Sequence, residues 1–239
     1  MSMTSALDTT TLENTSLATA NFGAGGSEPY ATALAGSGGS VLYLDEKVPG
    51  LAPRRSAMEV DRWRARADSA DLTSLAFTTG PLLDIGCGPG RMVRAALERG
   101  IDALGLDVSP AAVRHARADG LAVALGSVFD ELPREGEWQS ALLVDGNIGI
   151  GGDVDALLRR CRDILAPGGH LVIEVHPDAE RYHRYAGTLV DVNGGESASF
   201  PWAEIGRERL IDVAGLAGFA PAQSWEIAGR FFVRLARTR

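Results

Sequence analysis

Three features predict an α/β domain built on an open, doubly wound, mostly parallel sheet of seven strands with helices on both faces. Short apolar runs alternate with helical stretches, a glycine-rich turn follows the first of these runs, and the last two runs are joined tightly enough to form a terminal antiparallel hairpin. At 239 residues and 45% hydrophobic, the chain can bury one sizeable core and a small appendage.

Residues 1–28 are rich in Ser, Thr, Gly and Ala, with few large apolar groups, and read as a flexible tail. Residues 29–80 gain aromatics and, in "SAMEVDRWRARADSADLTSLAF", apolar positions at helical intervals with Ser56 as a cap. They predict an N-terminal helical segment placed as a lid before the sheet. From residue 81 the runs "PLLDI", "DALGLD", "LAVALG", "ALLVDG" and "HLVIEV" are separated mostly by the helical stretches "GRMVRAALERG", "SPAAVRHARADG" and "DVDALLRRCRDILAPGG". That alternation implies right-handed βαβ units in a parallel sheet. "GRERLIDVAGLAGF" adds a helix, and "AQSWEIAG" and "RFFVRLAR" form the hairpin, turning at Gly229. Residues 177–205 fit neither period and read as a lid insertion within the 81–239 domain.

The formal charge of −8 opposes a polyanion, and the arginines of "DRWRARAD" and "LLRRCRD" are interleaved with acids at helical spacing, so nucleic-acid binding is not expected. Cys87 and Cys161 have neither CxxC spacing nor a histidine cluster, which argues against a zinc site or disulfide framework and fits a cytoplasmic location. No basic residue precedes Lys47, so a secretory head is lacking, and no apolar run approaches the ~20 residues of a membrane span. The pattern specifies no oligomeric state.

"LLDIGCGPGR" carries the functional signal. Gly86, Gly88 and Gly90 allow a tight turn and a close backbone approach at the carboxyl end of a strand, where open parallel sheets bind ligands. A dinucleotide fingerprint would need glycine at Arg91, and a phosphate loop would need a Lys-Ser/Thr pair. Asp84, just before the loop, disfavours a pyrophosphate and attracts an ammonium or sulfonium. Asp107 follows Asp84 by 23 residues, near the offset at which a carboxylate accepts ribose hydroxyls. A nucleoside with a cationic tail satisfies both acids, and S-adenosylmethionine is such a molecule.

Over residues 81–176, and more loosely to 237, the chain resembles the class I S-adenosylmethionine-dependent methyltransferases. The resemblance rests on "LLDIGCGPGR", "GLDVSP" and "LAPGGHLVIEV". It implies that Asp84 lies near the methionine end, that Gly86, Cys87 and Gly88 lie against the cofactor, and that Asp107 holds the ribose with Val108 beside the adenine. "ALGSVFDELP" places Ser127 where the family often has an acid on the adenine amine, leaving the Ser127 hydroxyl or the Val128 backbone to substitute. "LLVDGNIGIGG" sets Asp145, Gly146 and Asn147 toward the methionine part and the transferred methyl. The product would be S-adenosylhomocysteine.

A sulfonium is already activated, so the expected reaction is in-line methyl transfer to a small-molecule acceptor, with no metal required. His176, at the end of the run "HLVIEV", is the candidate general base. Tyr182, His183 and Trp202 in the 177–205 insertion, and Tyr30, Tyr43 and Trp63 before the sheet, either line the acceptor or pack the lid. The rival readings are an NAD(P)-dependent oxidoreductase, a non-catalytic S-adenosylmethionine-binding module, and a protein methyltransferase, the last needing an open groove.

Overall fold

The computed structural model describes residues 21–23, 29–36, 41–46, 52–78 and 80–238. Ahead of the main sheet, helix α1 (Pro29–Ala35) leads to strands β1 (Leu42–Glu46) and β2 (Arg54–Met58) and the short helices α2 (Val60–Arg64) and α3 (Ser69–Ser74). The alternation predicted from residue 81 follows: β3 (Leu82–Ile85), α4 (Arg91–Leu97), β4 (Ala103–Asp107), α5 (Pro110–Ala118), β5 (Val123–Leu125) and β6 (Trp138–Leu143). A 3-10 segment (Asn147–Gly152) then precedes α6 (Val154–Ile164), β7 (Leu165–Val175), β8 (Tyr182–Asp191), β9 (Phe200–Ile205), α7 (Arg207–Ala214), β10 (Phe219–Ile227) and β11 (Arg230–Arg237).

Seven strands form the main sheet in the order β10-β11-β7-β6-β3-β4-β5. β3 to β7 pair in parallel, and β11 lies antiparallel to both β7 and β10. Alternate strand residues feed two cores, because successive side chains leave opposite faces of a sheet. Leu83 and Leu143 join α6 and α7 residues such as Leu158 and Leu210 in one core, whereas Leu82 and Leu142 meet Met92, Val93, Val113 and Ala116 of α4 and α5 in the other. Side chains start the connecting helices: Ser109 accepts the Ala112 N–H and Asp153 the Ala156 N–H, at 3.3 and 3.0 Å. The sheet reverses its strand order between β3 and β6, and this switch opens a crevice at the strands' carboxyl ends.

The covering region differs from its sequence reading. Residues 29–80 are helical only in part: β1 and β2 pair with β8 and β9 in a second, antiparallel sheet ordered β2-β1-β8-β9. Ser56 caps no helix; it sits in β2 opposite Leu44, and α2 begins at Val60. β2 is a solvent-facing edge strand, so it carries no alternating apolar signal to distinguish it from a helix start. The 177–205 insertion is mostly the β8–β9 hairpin. Its period is blurred because β8 is exposed or half-buried over its first half and continuously buried from Gly187 to Val190. This second sheet has its own core, in which Leu42, Leu44, Leu189, Phe200 and Trp202 pack with Tyr30 and Leu34 of α1 and Ala111 and Ala112 of α5.

The segment 1–28 lies outside the described residues except for 21–23. There Phe22 packs against the third core, contrary to a tail that buries little. Among the described residues no helix is long and apolar enough to cross a membrane.

Candidate cofactor and acceptor cleft

A cleft of about 990 Å³, counting its mouth, opens above the β3–β6 switch and runs up under the second sheet. Its floor is the glycine loop. Gly88 adopts a left-handed backbone (φ 54°), and a Cβ there would stand 3.2 Å from the Tyr30 hydroxyl oxygen. The loop is tied to β4: the Gly86 and Cys87 amides donate to the Leu106 carbonyl at 2.8 and 3.0 Å, and the Gly88 amide donates to Asp107 Oδ2 at 2.8 Å. From the β6 side, Asn147 Nδ2 donates to the carbonyls of Ile85 and Gly86, each at 2.9 Å. Asn147 thus splints the turn.

Four strand ends supply the polar side chains. Asp84 is 1% exposed, and neither of its carboxylate oxygens has a hydrogen-bond partner. Burial pushes its pKa up to about 7, against the pull of the Arg91 guanidinium. Asp107 also accepts the Ser109 amide at 2.7 Å; burial raises it to about 6, with the Ser109, Gly88 and Val108 amides favouring its ionised form. Val108, Ser127 and Val128 complete one end of the cleft. Cys87 also lines it, but burial holds its thiol well above the usual range, which makes it an inert wall.

Asp145 and Arg91 tie this floor to the covering region. Asp145 holds a left-handed backbone (φ 56°), unusual outside glycine, and its amide donates to Glu174 Oε2 at 2.8 Å. Its carboxylate receives Arg91 at 2.5 Å and Arg62 of α2 at 3.1 Å. Burial raises the Asp145 pKa, while Arg91, Arg62 and Arg230 work against that rise. Asp71 of α3, 1% exposed, faces the same three arginines at 3.1 Å (Arg62), 3.2 Å (Arg91) and 2.7 Å (Arg230), and Arg230 clasps Glu174 through two bonds of 2.7 and 2.6 Å. Pairing offsets the cost of burying these charges, and the lattice ties α2 and α3 to the site.

The other wall is aromatic. Phe22, Tyr30, Trp63 and Trp202 line the cleft together with Met58 and Ile150. Trp202 reaches it because β9 lies against the 3-10 segment, where a Cβ on Gly149 would sit 2.3 Å from the Ala203 carbonyl oxygen. Only glycine allows that approach.

The structure brings Asp84, Gly86, Cys87, Gly88, Asp107, Val108, Ser127, Val128, Asp145 and Asn147 into this cleft, with Tyr30 and Trp202 from the acceptor candidates. Gly146 caps the 3-10 segment next to the cleft without lining it. His176 is displaced. Its Nδ1 accepts the Asp178 amide at 3.1 Å, and the residue lines a separate hollow beside Arg207 and Trp225. The strand-end placement expected of it is present, but the crevice lies over β3, β4 and β6. Tyr43 lies beneath the Arg55 guanidinium, Tyr182 points to Asp155, and His183 contacts Glu46 at 2.9 Å; none of the three lines the cleft. Arg91, Phe22 and Met58 were missed. Arg91 was legible as a charged residue opening the helix after the loop, and Phe22 as the lone aromatic in a polar stretch.

A family model described as a methyltransferase domain matches residues 58–204, more than half of the chain. The chain belongs to this methyltransferase family. The match spans the glycine loop, both aspartates and the hairpin that covers the methyltransferase cleft. A curated relative, the ubiquinone biosynthesis O-methyltransferase of Cereibacter sphaeroides, is 33% identical over 103 residues, 41% of this chain and 42% of that protein. The methyltransferase therefore aligns with less than half of that relative's length. Among solved structures, an S-adenosylmethionine-dependent methyltransferase from Bacteroides fragilis in complex with S-adenosylhomocysteine superposes with a TM-score of 0.74 at 19% identity, covering 89% of this chain and 95% of that one. The 1,6-didemethyltoxoflavin-N1-methyltransferase of Burkholderia thailandensis gives 0.56 at 20% identity, covering 75% and 82%. These two likenesses establish a shared fold.

Proposed function

We propose that the protein transfers the methyl group of S-adenosylmethionine to a small-molecule acceptor bound between the glycine loop and the aromatic wall. One observation carries this reading: a fully buried Asp84 faces the cleft with both carboxylate oxygens unpartnered. A buried, unpaired carboxylate is costly unless a ligand completes it, and a cationic ligand does so best. The cofactor's ammonium fits that need. Asp107 retains lone pairs for the ribose hydroxyls, Val108 and Val128 offer apolar contact to the adenine with Ser127 beside them, and Gly86 and Gly88 leave room for the chain of the ligand. Asp145, already held by Arg91 and Arg62, and Asn147 keep the loop and the methyl end of the cleft rigid.

When bound, S-adenosylmethionine supplies an electrophilic methyl group on a sulfonium. The protein's work is then to orient the acceptor's nucleophile in line and to exclude water, which the aromatic wall and second sheet do. No imidazole lines the cleft among the described residues. Proton loss from the acceptor therefore falls to the cleft's carboxylates or to solvent, and His176 has no part in it. The closed-over cleft and net charge of −8 favour a small molecule over nucleic acid or a protein, and two buried free thiols are compatible with a cytoplasmic setting. The curated relative's name specifies an O-methyltransferase, which makes a hydroxyl the first acceptor to test.

Calorimetry with S-adenosylmethionine, S-adenosylhomocysteine and NAD, followed by an acceptor screen reading S-adenosylhomocysteine release, tests the proposal. Binding of both sulfur compounds and turnover on at least one acceptor are expected. NAD binding without response to either sulfur compound would overturn the cofactor assignment, and tight binding without turnover would make the protein a binding module.

A further inference from the structure

The aromatic wall contains an arrangement that the methyl-transfer reading does not need. Phe22 is surrounded by four rings: Tyr30 at 5.3 Å, Phe200 at 5.5 Å, Trp202 at 5.5 Å and Trp63 at 6.3 Å between centroids. Three of these contacts are edge-to-face and one, with Trp202, is tilted at 35°. The surrounding rings come from α1, α2 and β9 and touch one another, Tyr30 with Trp63 at 5.8 Å and Phe200 with Trp202 at 5.9 Å. They form a box whose contents are one benzyl ring.

Among the described residues of the 1–28 segment, Phe22 is the one whose side chain enters that box. Phe22 is half-buried; its neighbour Asn21 is exposed, and Gly23, though buried, carries no side chain. Phe22 belongs to no helix or strand. Gly23 seats it through a left-handed turn (φ 72°) in which a Cβ would stand 2.6 Å from Tyr30 Cδ1 and 3.2 Å from Ser109 Cβ. The same ring lines the cleft that holds Asp84 and Gly88.

We propose that this box is the acceptor subsite, that it takes a flat, uncharged aromatic ring, and that Phe22 is a displaceable stand-in for that ring. The inference rests on the methyl-transfer reading for the word acceptor, and on the ring geometry for everything else. Edge-to-face and offset contacts select a planar π system over a saturated ring of equal size. Among the described lining residues three aspartates face one arginine, itself paired with Asp71 and Asp145, which disfavours a carboxylate-bearing acceptor. An internal plug reduces the apparent affinity of any competing ring by the fraction of molecules in which the plug is withdrawn. Removing it strengthens binding, whereas removing a true wall weakens it.

The test titrates 2-naphthol into the full-length protein by calorimetry, with and without S-adenosylhomocysteine, using cyclohexanol as the saturated control. Phe22→Ala empties the box. Gly23→Ala unseats the ring through its strained turn while the chain keeps all five aromatic residues. Both variants are expected to bind 2-naphthol at least about fivefold more tightly than wild type, with cyclohexanol binding to none of them. Weaker 2-naphthol binding in both variants would make Phe22 a wall and overturn the proposal. Equal gains for cyclohexanol would overturn the aromatic selectivity, and absence of 2-naphthol binding in variants that still bind S-adenosylhomocysteine would overturn the subsite. Failure of wild type to bind S-adenosylhomocysteine strikes the methyl-transfer reading instead, and the 2-naphthol titrations without it still report on the box.

Discussion

The floor of the cleft and its aromatic wall are assembled from different kinds of sequence. Asp84, Asp107, Ser127 and Asp145 each stand at or just beyond the end of a strand in one sheet, and β3, β4, β5 and β6 lie side by side. Phe22, Tyr30, Trp63 and Trp202 come instead from a turn, two helices and a strand of another sheet, spread across 180 positions. The floor is rigid through backbone bonds to Leu106, Ile85 and Gly86. The wall is held by ring contacts and by the arginine lattice around Asp71. On the proposed function, cofactor affinity belongs to the floor and acceptor affinity to the wall, with little exchange between them.

The largest expected effect falls on the floor. Gly88→Val forces a branched residue into a left-handed backbone and toward the Tyr30 hydroxyl, and should weaken S-adenosylhomocysteine binding by more than about 100-fold. Calorimetry on the folded variant checks this, and near-normal affinity would break the division at its root.

Asp84→Asn comes next and should move two quantities in opposite directions. S-adenosylhomocysteine affinity is expected to fall by roughly 10- to 100-fold as a charged contact is lost. Stability of the ligand-free protein at pH 8 should rise by on the order of 1–3 kcal/mol, because a buried unpaired charge disappears. The sign follows from linkage. Unfolded Asp84 ionises near 3.8, whereas the folded group holds its proton up to about 7, so its contribution destabilises the native state progressively as pH rises through that window. Asp107, raised to about 6, acts in the same direction. Urea titrations of wild type and variant from pH 4 to 8 should diverge as pH increases, and parallel curves would show that Asp84 is not the group responsible.

On the wall, Trp63→Ala should raise the acceptor KM by about tenfold, as expected for a buried aromatic contact, and leave S-adenosylhomocysteine affinity within about threefold. Equal losses of both would merge floor and wall into one unit. The smallest effect is expected at His176, which sits outside the cleft with its Nδ1 engaged by the Asp178 amide. His176→Ala should retain turnover within about twofold from pH 6 to 9. A 10²-fold loss with a missing acidic limb would restore it as the base.

The parallel sheet, its terminal hairpin and the polar floor were legible because each depends on neighbours in sequence. A buried parallel strand demands a continuous apolar run, and a ligand loop demands glycines within a few residues of the strand end, so "LLDIGCGPGR" and "GLDVSP" announce themselves. Trp63 and Trp202 carried no comparable signal, and Phe22 only that of a lone aromatic in a polar stretch, since an aromatic residue reads alike whether it packs a core or faces a ligand. Strand β2 was read as a helix start because an exposed edge strand need not alternate, and only its pairing with β1 makes it a strand. His176 was misplaced for a related reason. A strand end is a local property, but which strand ends border the crevice depends on the order of strands in the sheet. The sequence by itself determined which glycines and acids stand at the strand ends of the floor, since covalent spacing sets their places. The wall, its occupant and the exclusion of His176 were decided only by tertiary structure, through contacts between segments that share no local pattern.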